Sequence, residues 1–271
     1  MNLRNRILLG IIFTCVSLHG SAHGGVKTLK MPGRVVAFQS ADIMASSSGM
    51  IVEQRIVNGS RVRKGDVLFR LDEEKAQAKV AIAEARLEAL KVQYSVAKNN
   101  YERRNAVKQG VSKESVETSF GAMEIAKAQV KEAEVALASA KGELAGCVVR
   151  APIDGIAGSS SKSVGSFVSI ATGPLINIST VSPIKVRFAL SNANFLRLFD
   201  GDCTKAVKTA KIRLILSDGR LFSEDGRIEY VENVVDSNTD SIRMYALFQN
   251  KDMLIRPGSS VTVELDVSNG K

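Results

Sequence analysis

The sequence predicts an elongated multidomain protein built from β modules and a coiled coil, and three observations predict it. Two glycine-punctuated β segments that resemble each other stand on either side of a long helical stretch. That stretch carries two apolar seams with heptad spacing, joined by a short turn. Beyond it the chain changes to short alternating strands parted by turn residues. The pattern describes one compact β module whose middle is drawn out into a rod, followed by a small β-barrel.

The N-terminus comes first. Arg4 and Arg6 precede an apolar stretch from Ile7 to Leu18, and the small residues Gly20 and Ala22 follow. This reads as a secretory signal over residues 1–22, cleaved after Ala22. The apolar stretch is short for a spanning helix, which needs about 20 residues. A lipid anchor at Cys15 is not expected, because Phe13 and Thr14 precede it where small residues are needed. Cleavage removes two arginines and lowers the formal charge from +9 to +7. That balance suits acidic surfaces, including anionic lipid heads at the inner membrane. Nucleic acid is not an expected partner, since basic residues are scattered among acids in an exported chain. With 5% aromatic residues and no Trp, there is little material for a sugar groove or a base-stacking platform.

The first β segment holds Ser48-Gly49-Met50-Ile51-Val52, Asn58-Gly59-Ser60-Arg61-Val62 and Lys64-Gly65-Asp66-Val67-Leu68-Phe69. The second holds Asp154-Gly155-Ile156-Ala157, Val164-Gly165-Ser166-Phe167-Val168 and Gly173-Pro174-Leu175-Ile176. Gly49 to Gly59 and Gly155 to Gly165 are both steps of ten residues, and each segment ends in a short apolar run. Residues 41–71 and 146–180 therefore form the two halves of one module, with short strands joined by glycine turns.

Between them, residues 72–145 form an antiparallel α-helical hairpin. In its first helix Ala76, Val80, Ala83, Leu87, Leu90, Tyr94, Ala97 and Tyr101 recur in steps of four and three. This is a heptad seam. Asp72, Glu73 and Glu74 lie where a helix N-terminus favours negative charge. The periodicity fades at Asn105, Gln109-Gly110-Val111 supplies the turn, and Ser112 caps a second helix. The second seam runs Val116, Ser119, Met123, Ala126, Val130, Ala133, Leu137, Ala140 and Leu144. Phe120 is expected to pack in that seam with Met123. Helices of this length reach roughly 50 Å at 1.5 Å per residue. Alanine dominates the seam, so the hairpin gains little apolar area from its own pairing and is expected to find partners along its sides.

Residues 28–40 and 181–267 are assigned to the barrel. Pro183 to Leu190 alternates polar and apolar residues, and Asn192 to Leu198 reads as a short helix. Strands are predicted over Lys211–Leu216, Gly226–Val234, Ile242–Phe248 and Val261–Val267, with turns at Asp218-Gly219, Asp236-Ser237-Asn238 and Arg256-Pro257-Gly258.

Nothing in the pattern points to catalysis. The only histidines, His19 and His23, flank the cleavage region. Cys147 and Cys203 fall in different modules and read as two isolated buried thiols. Asp218, Asp225 and Asp236 sit in turn contexts, where a carboxylate bonds to nearby backbone amides. No nucleophile with a base, no metal-type cluster and no phosphate loop is arranged, so no catalytic, cofactor-binding or metal residue is expected.

Six stretches taken in order resemble the periplasmic adaptors, or membrane fusion proteins, of tripartite efflux pumps. These are Ser48 to Val52, Val62 to Asp72, Ala151 to Gly158, Pro183 to Phe188, Val235 to Thr239 and Leu254 to Gly258. The branch they look most like serves resistance-nodulation-division pumps, and the resemblance covers nearly all of the mature chain. It implies that the split module is a lipoyl-like β-sandwich, structural here and carrying no lipoate or biotin. It implies partners at both membranes: an inner-membrane transporter on the barrel side and an outer-membrane channel at the hairpin tip. It also implies self-association, hexameric in the assembled pump, around a sealed conduit for drugs or other small molecules. The location implied is the periplasm, tied to the inner membrane through the pump. No turnover is implied.

In the family the tip carries arginine, leucine and serine at fixed spacing. Here Arg103 or Arg104 takes the arginine role, Ser112 matches the serine, and Val107 stands for leucine only with altered spacing, around the Gly110 turn. The hairpin is braced by Leu87, Leu90, Tyr94, Met123, Val130 and Leu137. Larger relatives add a membrane-proximal domain after the barrel, most of which is not expected here. Transporter contact would then rest on the barrel turns at Asp218, Gly219 and Ser237. Adaptors of ATP-driven or major-facilitator exporters share these modules and are the near alternative, and a periplasmic scaffold protein is a further one.

Overall fold

The computed structural model describes residues 27–107 and 112–267. The expected signal segment, with Cys15, His19 and His23, and the turn residue Gly110 lie outside the described residues. In chain order the elements are β1 (Lys27–Ala37), β2 (Ser40–Ile43), β3 (Gly49–Gln54), β4 (Arg61–Val62), β5 (Val67–Leu71), α1 (Glu74–Ala106), α2 (Lys113–Ala145), β6 (Val148–Arg150), β7 (Gly155–Ala157), β8 (Phe167–Val168) and β9 (Ile176–Ser179). They continue as β10 (Ile184–Ser191), α3 (Asn192–Phe199), α4 (Cys203–Thr209), β11 (Ala210–Ile215), β12 (Arg227–Asp236), β13 (Ser241–Phe248) and β14 (Ser260–Val267).

Strands of two to six residues cannot bury an apolar face alone, so the two halves of the split module interleave. One sheet runs β2-β9-β7-β4 and the other β6-β5-β3-β8, two strands from each half in both. The hydrogen bonds repeat as well. Gly59 N donates to Ala157 O at 2.9 Å and Gly165 N to Ile51 O at 2.8 Å; Ala157 N donates to Ser60 O at 3.0 Å and Ile51 N to Ser166 O at 2.9 Å. Each half thus closes its glycine turn on the same position of the other. Gly59 (φ 81°) and Gly165 (φ 88°) supply the left-handed backbone those turns need. Ile51, Leu68, Phe69 and Leu71 from one half bury against Val149, Leu175, Ile176 and Ile178 from the other.

The rod leaves this module from β5 and returns into β6, which pair antiparallel with Phe69 opposite Val149. Asp72 Oδ1 accepts from Glu74 N at 3.1 Å at the start of α1. Ser112 Oγ accepts from Ser115 N at 3.2 Å at the start of α2. At the root, Ser47 Oγ donates to Glu143 O at 2.7 Å and Ser46 Oγ to Gly146 O at 3.3 Å. Lys141 pairs with Glu84 at 2.9 Å across the two helices.

The barrel is one six-stranded sheet in the order β11-β14-β1-β10-β13-β12. It closes where the chain after β11 folds back along it: Phe222 N donates to Leu214 O and Gly226 N to Ile212 O, both at 2.8 Å. β1, from the start of the chain, fills the centre of the sheet between β14 and β10. Ile184, Val186 and Phe188 alternate inward against Val263, Leu265, Met244 and Ala246. α3 and α4 bury Phe195, Phe199 and Ala206 in the same core.

Two expectations are corrected and one helix is new. Phe120 is 47% exposed, because Ser119 takes the inward position; its ring instead meets Tyr101 at 5.4 Å between centroids. Both cysteines are free, but only Cys147 is buried. Cys203 is exposed because it opens α4 at the surface, where residues 201–205 are all exposed. The helix α4 itself had no counterpart in the sequence reading; it is set by Asp202, whose Oδ1 accepts from Thr204 N at 2.7 Å.

Candidate docking surfaces

The first surface is the hairpin tip. α1 ends at Ala106, with Arg103 and Arg104 in its last turn, where cations oppose the negative helix end. The two arginines differ. Arg104 reaches across to the other helix, donating to Ser115 Oγ at 2.9 Å and to Ser115 O at 3.4 Å. Arg103 stays on its own helix and donates to Asn100 Oδ1. Val107 is 51% exposed just beyond the helix end. Ser112 holds the N-cap of α2, so its hydroxyl is engaged within the hairpin.

Below the tip, the seam positions face one another. Leu87 and Met123 are buried with Ala126, Ala133 and Ala140, while Leu90, Tyr94, Val130 and Leu137 are half-buried. Small residues leave shallow grooves beside the seam. One is lined by Gln93, Val96, Asn100, Arg104 and Ala122. The other is lined by Glu84, Leu87, Lys91, Ser95 and Leu137. Gln93 and Asn100 precede seam residues by one position and Glu84 and Lys91 follow them by one, so the grooves open on opposite flanks. Val92, Val96 and Ile125 are more than half exposed on these outer faces.

The third surface is the barrel, where the structure separates the expected transporter contacts. β11 ends at Ile215 opposite Thr262, and β10 starts at Ile184 opposite Ala37 and Phe248. The Asp218-Gly219 turn therefore lies at the barrel end through which the chain crosses to the split module. Ser237 follows the far end of β12, where Asp236 pairs with Ser241 and α3 begins. Both turns are Asx-type: Asp218 Oδ1 accepts from Arg220 N and Asp236 Oδ1 from Asn238 N, each at 3.0 Å. The bond from the Arg220 backbone, then that from its side chain, holds the Asp218 carboxyl below its usual range.

The sequence reading did not single out Asn250, yet it pins the segment that enters the barrel from the split module to the barrel itself. It is 1% exposed. Its Nδ2 donates to Val181 O at 2.8 Å, in the crossing segment, and to Ile255 O at 2.7 Å; its Oδ1 accepts from Ile255 N at 3.3 Å. A buried asparagine carries this signal only once its partners, 69 residues apart in one case, are known.

Among the described residues no group of His, Cys, Asp and Glu could hold a metal ion, and no helix is long and apolar enough to cross a membrane. What the surfaces offer is docking chemistry: a cationic tip, grooved flanks and polar barrel ends.

Comparison with known proteins agrees in both modules. The family model for the RND MFP barrel-sandwich hybrid domain matches residues 39–179, and that for the RND MFP β-barrel domain matches residues 183–269. The antibiotic efflux pump periplasmic linker protein ArpA of Pseudomonas putida is 33% identical over 244 residues, 88% of this chain and 62% of that protein. The multidrug efflux pump subunit AcrA of Escherichia coli is 30% identical over 247 residues, again 88% and 62%. The chain thus spans about three fifths of the length of these curated relatives. Among solved structures, the membrane fusion protein Spr0693 of Streptococcus pneumoniae superposes with a TM-score of 0.66 at 14% identity, over 88% of this chain and 98% of that one, a likeness of fold.

Proposed function

Because the chain belongs to the RND membrane fusion protein family, we propose that it is a periplasmic adaptor joining an inner-membrane exporter to an outer-membrane channel for efflux of drugs or other small molecules. The observation that carries this reading is the rod. Two 33-residue helices rooted in neighbouring strands hold Arg103, Arg104 and Val107 about 50 Å from the β base, a reach with no use in a self-contained binding protein.

The mechanism is positional. The tip meets the channel, with Arg103 the freer cation and Arg104 bracing the two helix ends. The barrel meets the transporter, and the lipoyl-like module sits between them. Grooves on opposite flanks of the hairpin suit head-to-tail packing, in which one flank of each copy covers the other flank of the next and the ring closes, six copies in the complete pump. Exposed Val92, Val96 and Ile125 would be covered in such a ring. Solute is enclosed rather than bound, so no side chain turns over.

The test is photocrosslinking in cells that make the full chain. A crosslinker in place of Lys113, at the tip, is expected to capture an outer-membrane channel, and one in place of Ser237 or Asp218 an inner-membrane transporter. Deletion of the gene is expected to lower resistance to toxic export substrates. Absence of both crosslinks with unchanged susceptibility would leave a free periplasmic scaffold as the reading.

A further inference from the structure

The outer face of the barrel carries a charge arrangement that the fold does not neutralise. Arg34 on β1 lies directly opposite Arg187 on β10 in the antiparallel register. Both are exposed and on the same face. Like charges placed so are destabilising, since directly opposed Cβ atoms stand only about 5 Å apart. Arg34 spends one nitrogen on Gly258 O at 3.3 Å. Neither arginine has a carboxylate partner among the described residues. The acids of β12 are committed elsewhere: Glu232 accepts from Tyr245 Oη at 3.1 Å and pairs with Arg243 at 3.3 Å, Glu229 pairs with Lys185 at 2.9 Å, and Asp236 lies 3.9 Å from Arg243.

The two arginines line a shallow groove across five strands, together with Pro32, Gly33, Ala189, Asp236, Arg243 and Ser260. Three guanidiniums face one carboxylate, Asp236. The chain's own N-terminal segment cannot supply the missing charge, because residues 1–26 contain no Asp or Glu. A guanidinium fork matches a carboxylate with two parallel bonds, and two opposed forks match a pair of carboxylates on one strand-like segment.

We propose that this groove docks an extended acidic segment of a partner protein, with two of its carboxylates seated on Arg34 and Arg187. On the adaptor reading, on which this rests for the partner's identity, that partner is the inner-membrane transporter. The surface is separate from the Asp218-Gly219 turn at the other barrel end, and it adjoins the Ser237 turn only through Asp236.

The test places a photocrosslinker at Ala189 in the full chain, in cells, and identifies the captured peptide by mass spectrometry. The expected product is an Asp- or Glu-bearing segment of an inner-membrane transporter. Arg34→Glu with Arg187→Glu is expected to abolish it while the tip crosslink from Lys113 persists. Capture of a second copy of this chain, or a product indifferent to the double reversal, overturns the proposal. Loss of the tip crosslink in the otherwise unaltered chain would instead count against the adaptor reading. Vesicles of phosphatidylethanolamine with phosphatidylglycerol provide the lipid arm: co-sedimentation that the double reversal abolishes would assign the groove to headgroups and overturn the proposal. The isolated protein supplies an independent readout. Arg187→Thr is expected to raise the thermal midpoint at low salt, by a margin that shrinks as salt is added; a lowered midpoint would remove the premise of repulsion.

Discussion

Replacing Asn250 by alanine tests how the crossing segment at Val181 is anchored to the barrel. The side chain is buried and satisfies three backbone groups, Val181 O, Ile255 O and Ile255 N. Each group left unpaired in the interior costs about 1–3 kcal/mol, and water entering the small space relieves part of that. A total loss of about 3–5 kcal/mol follows, against a domain stability of about 5–15 kcal/mol. For a domain of this size the thermal midpoint falls by roughly 12 °C or more. The effect is expected in the barrel and the Val181 crossing, read by amide hydrogen exchange, while the split module keeps its protection. Asn250→Asp sharpens the test. As the neutral acid it can donate to one carbonyl and still accept from Ile255 N, but ionised it would face two carbonyl oxygens in a buried site. Its folded pKa is thus raised above the unfolded value. Stability from the acid form is full below the unfolded pKa and is lost as pH rises through the folded one. A shift under about 1 kcal/mol for Asn250→Ala, or a pH-independent Asn250→Asp variant, would refute the role assigned to this side chain.

Leu87→Asp removes a seam leucine that is 8% exposed and puts a charge between the helices; because a groove opens beside it, the expected loss is at the low end for a core leucine, about 2–3 kcal/mol. Hydrogen exchange should show it in α1 and α2 with the barrel unchanged, and export in cells should fall; normal export with an unprotected hairpin would sever rod from function. Gly155→Ala puts a Cβ 2.6 Å from Ser179 O, whereas at the equivalent Gly49 the nearest atom is Leu71 Cβ at 3.3 Å. Overpacking of about 1–3 kcal/mol is expected at Gly155 and a smaller loss at Gly49; equal melting shifts would contradict the close approach of β7 to β9. The Cys147 thiol is pushed up by burial and then by the Glu73 and Glu143 carboxylates, so alkylation in the folded protein should mark exposed Cys203 and spare Cys147. Equal labelling rates would exclude the burial described.

Much of the fold was legible because its signals are local. Alternating steps of four and three set which face of each helix turns inward, and no distant partner is needed to read that. The matched glycine steps were legible for the same reason, since a turn writes its requirement into one or two residues. Pairing across long separations left fainter marks. That β1 runs between β14 and β10 depends on pairings from Ala37 with Ile184 to Lys27 with Val267, far apart in the chain, and Asn250 looks like any loop asparagine until Val181 is beside it. The division of Asp218 from Ser237 is itself written in the sequence. Consecutive turns of an antiparallel meander alternate ends, and one strand, β12, lies between these two.

The position of the insertion explains more than the repeat does. β5 and β6 are hydrogen-bonded neighbours in one sheet, so the ends of the interrupted loop are held about 5 Å apart, at the usual strand spacing. Two helices leaving such a pair must run side by side from their first turn, and the Ser47 and Ser46 bonds to the end of α2 fix their direction against the connection between β2 and β3. Were the helices inserted between non-adjacent strands, they would splay at the root, and an alanine seam with so little apolar area could not draw them together. The rod is therefore rigid chiefly where it joins the sheet, and its stiffness along the upper half depends on the packing of its flanks. A free chain should accordingly show exchange rates in α1 and α2 that rise from root to tip, and assembly should flatten that gradient. A uniform profile in the free chain would mean that the seam alone suffices.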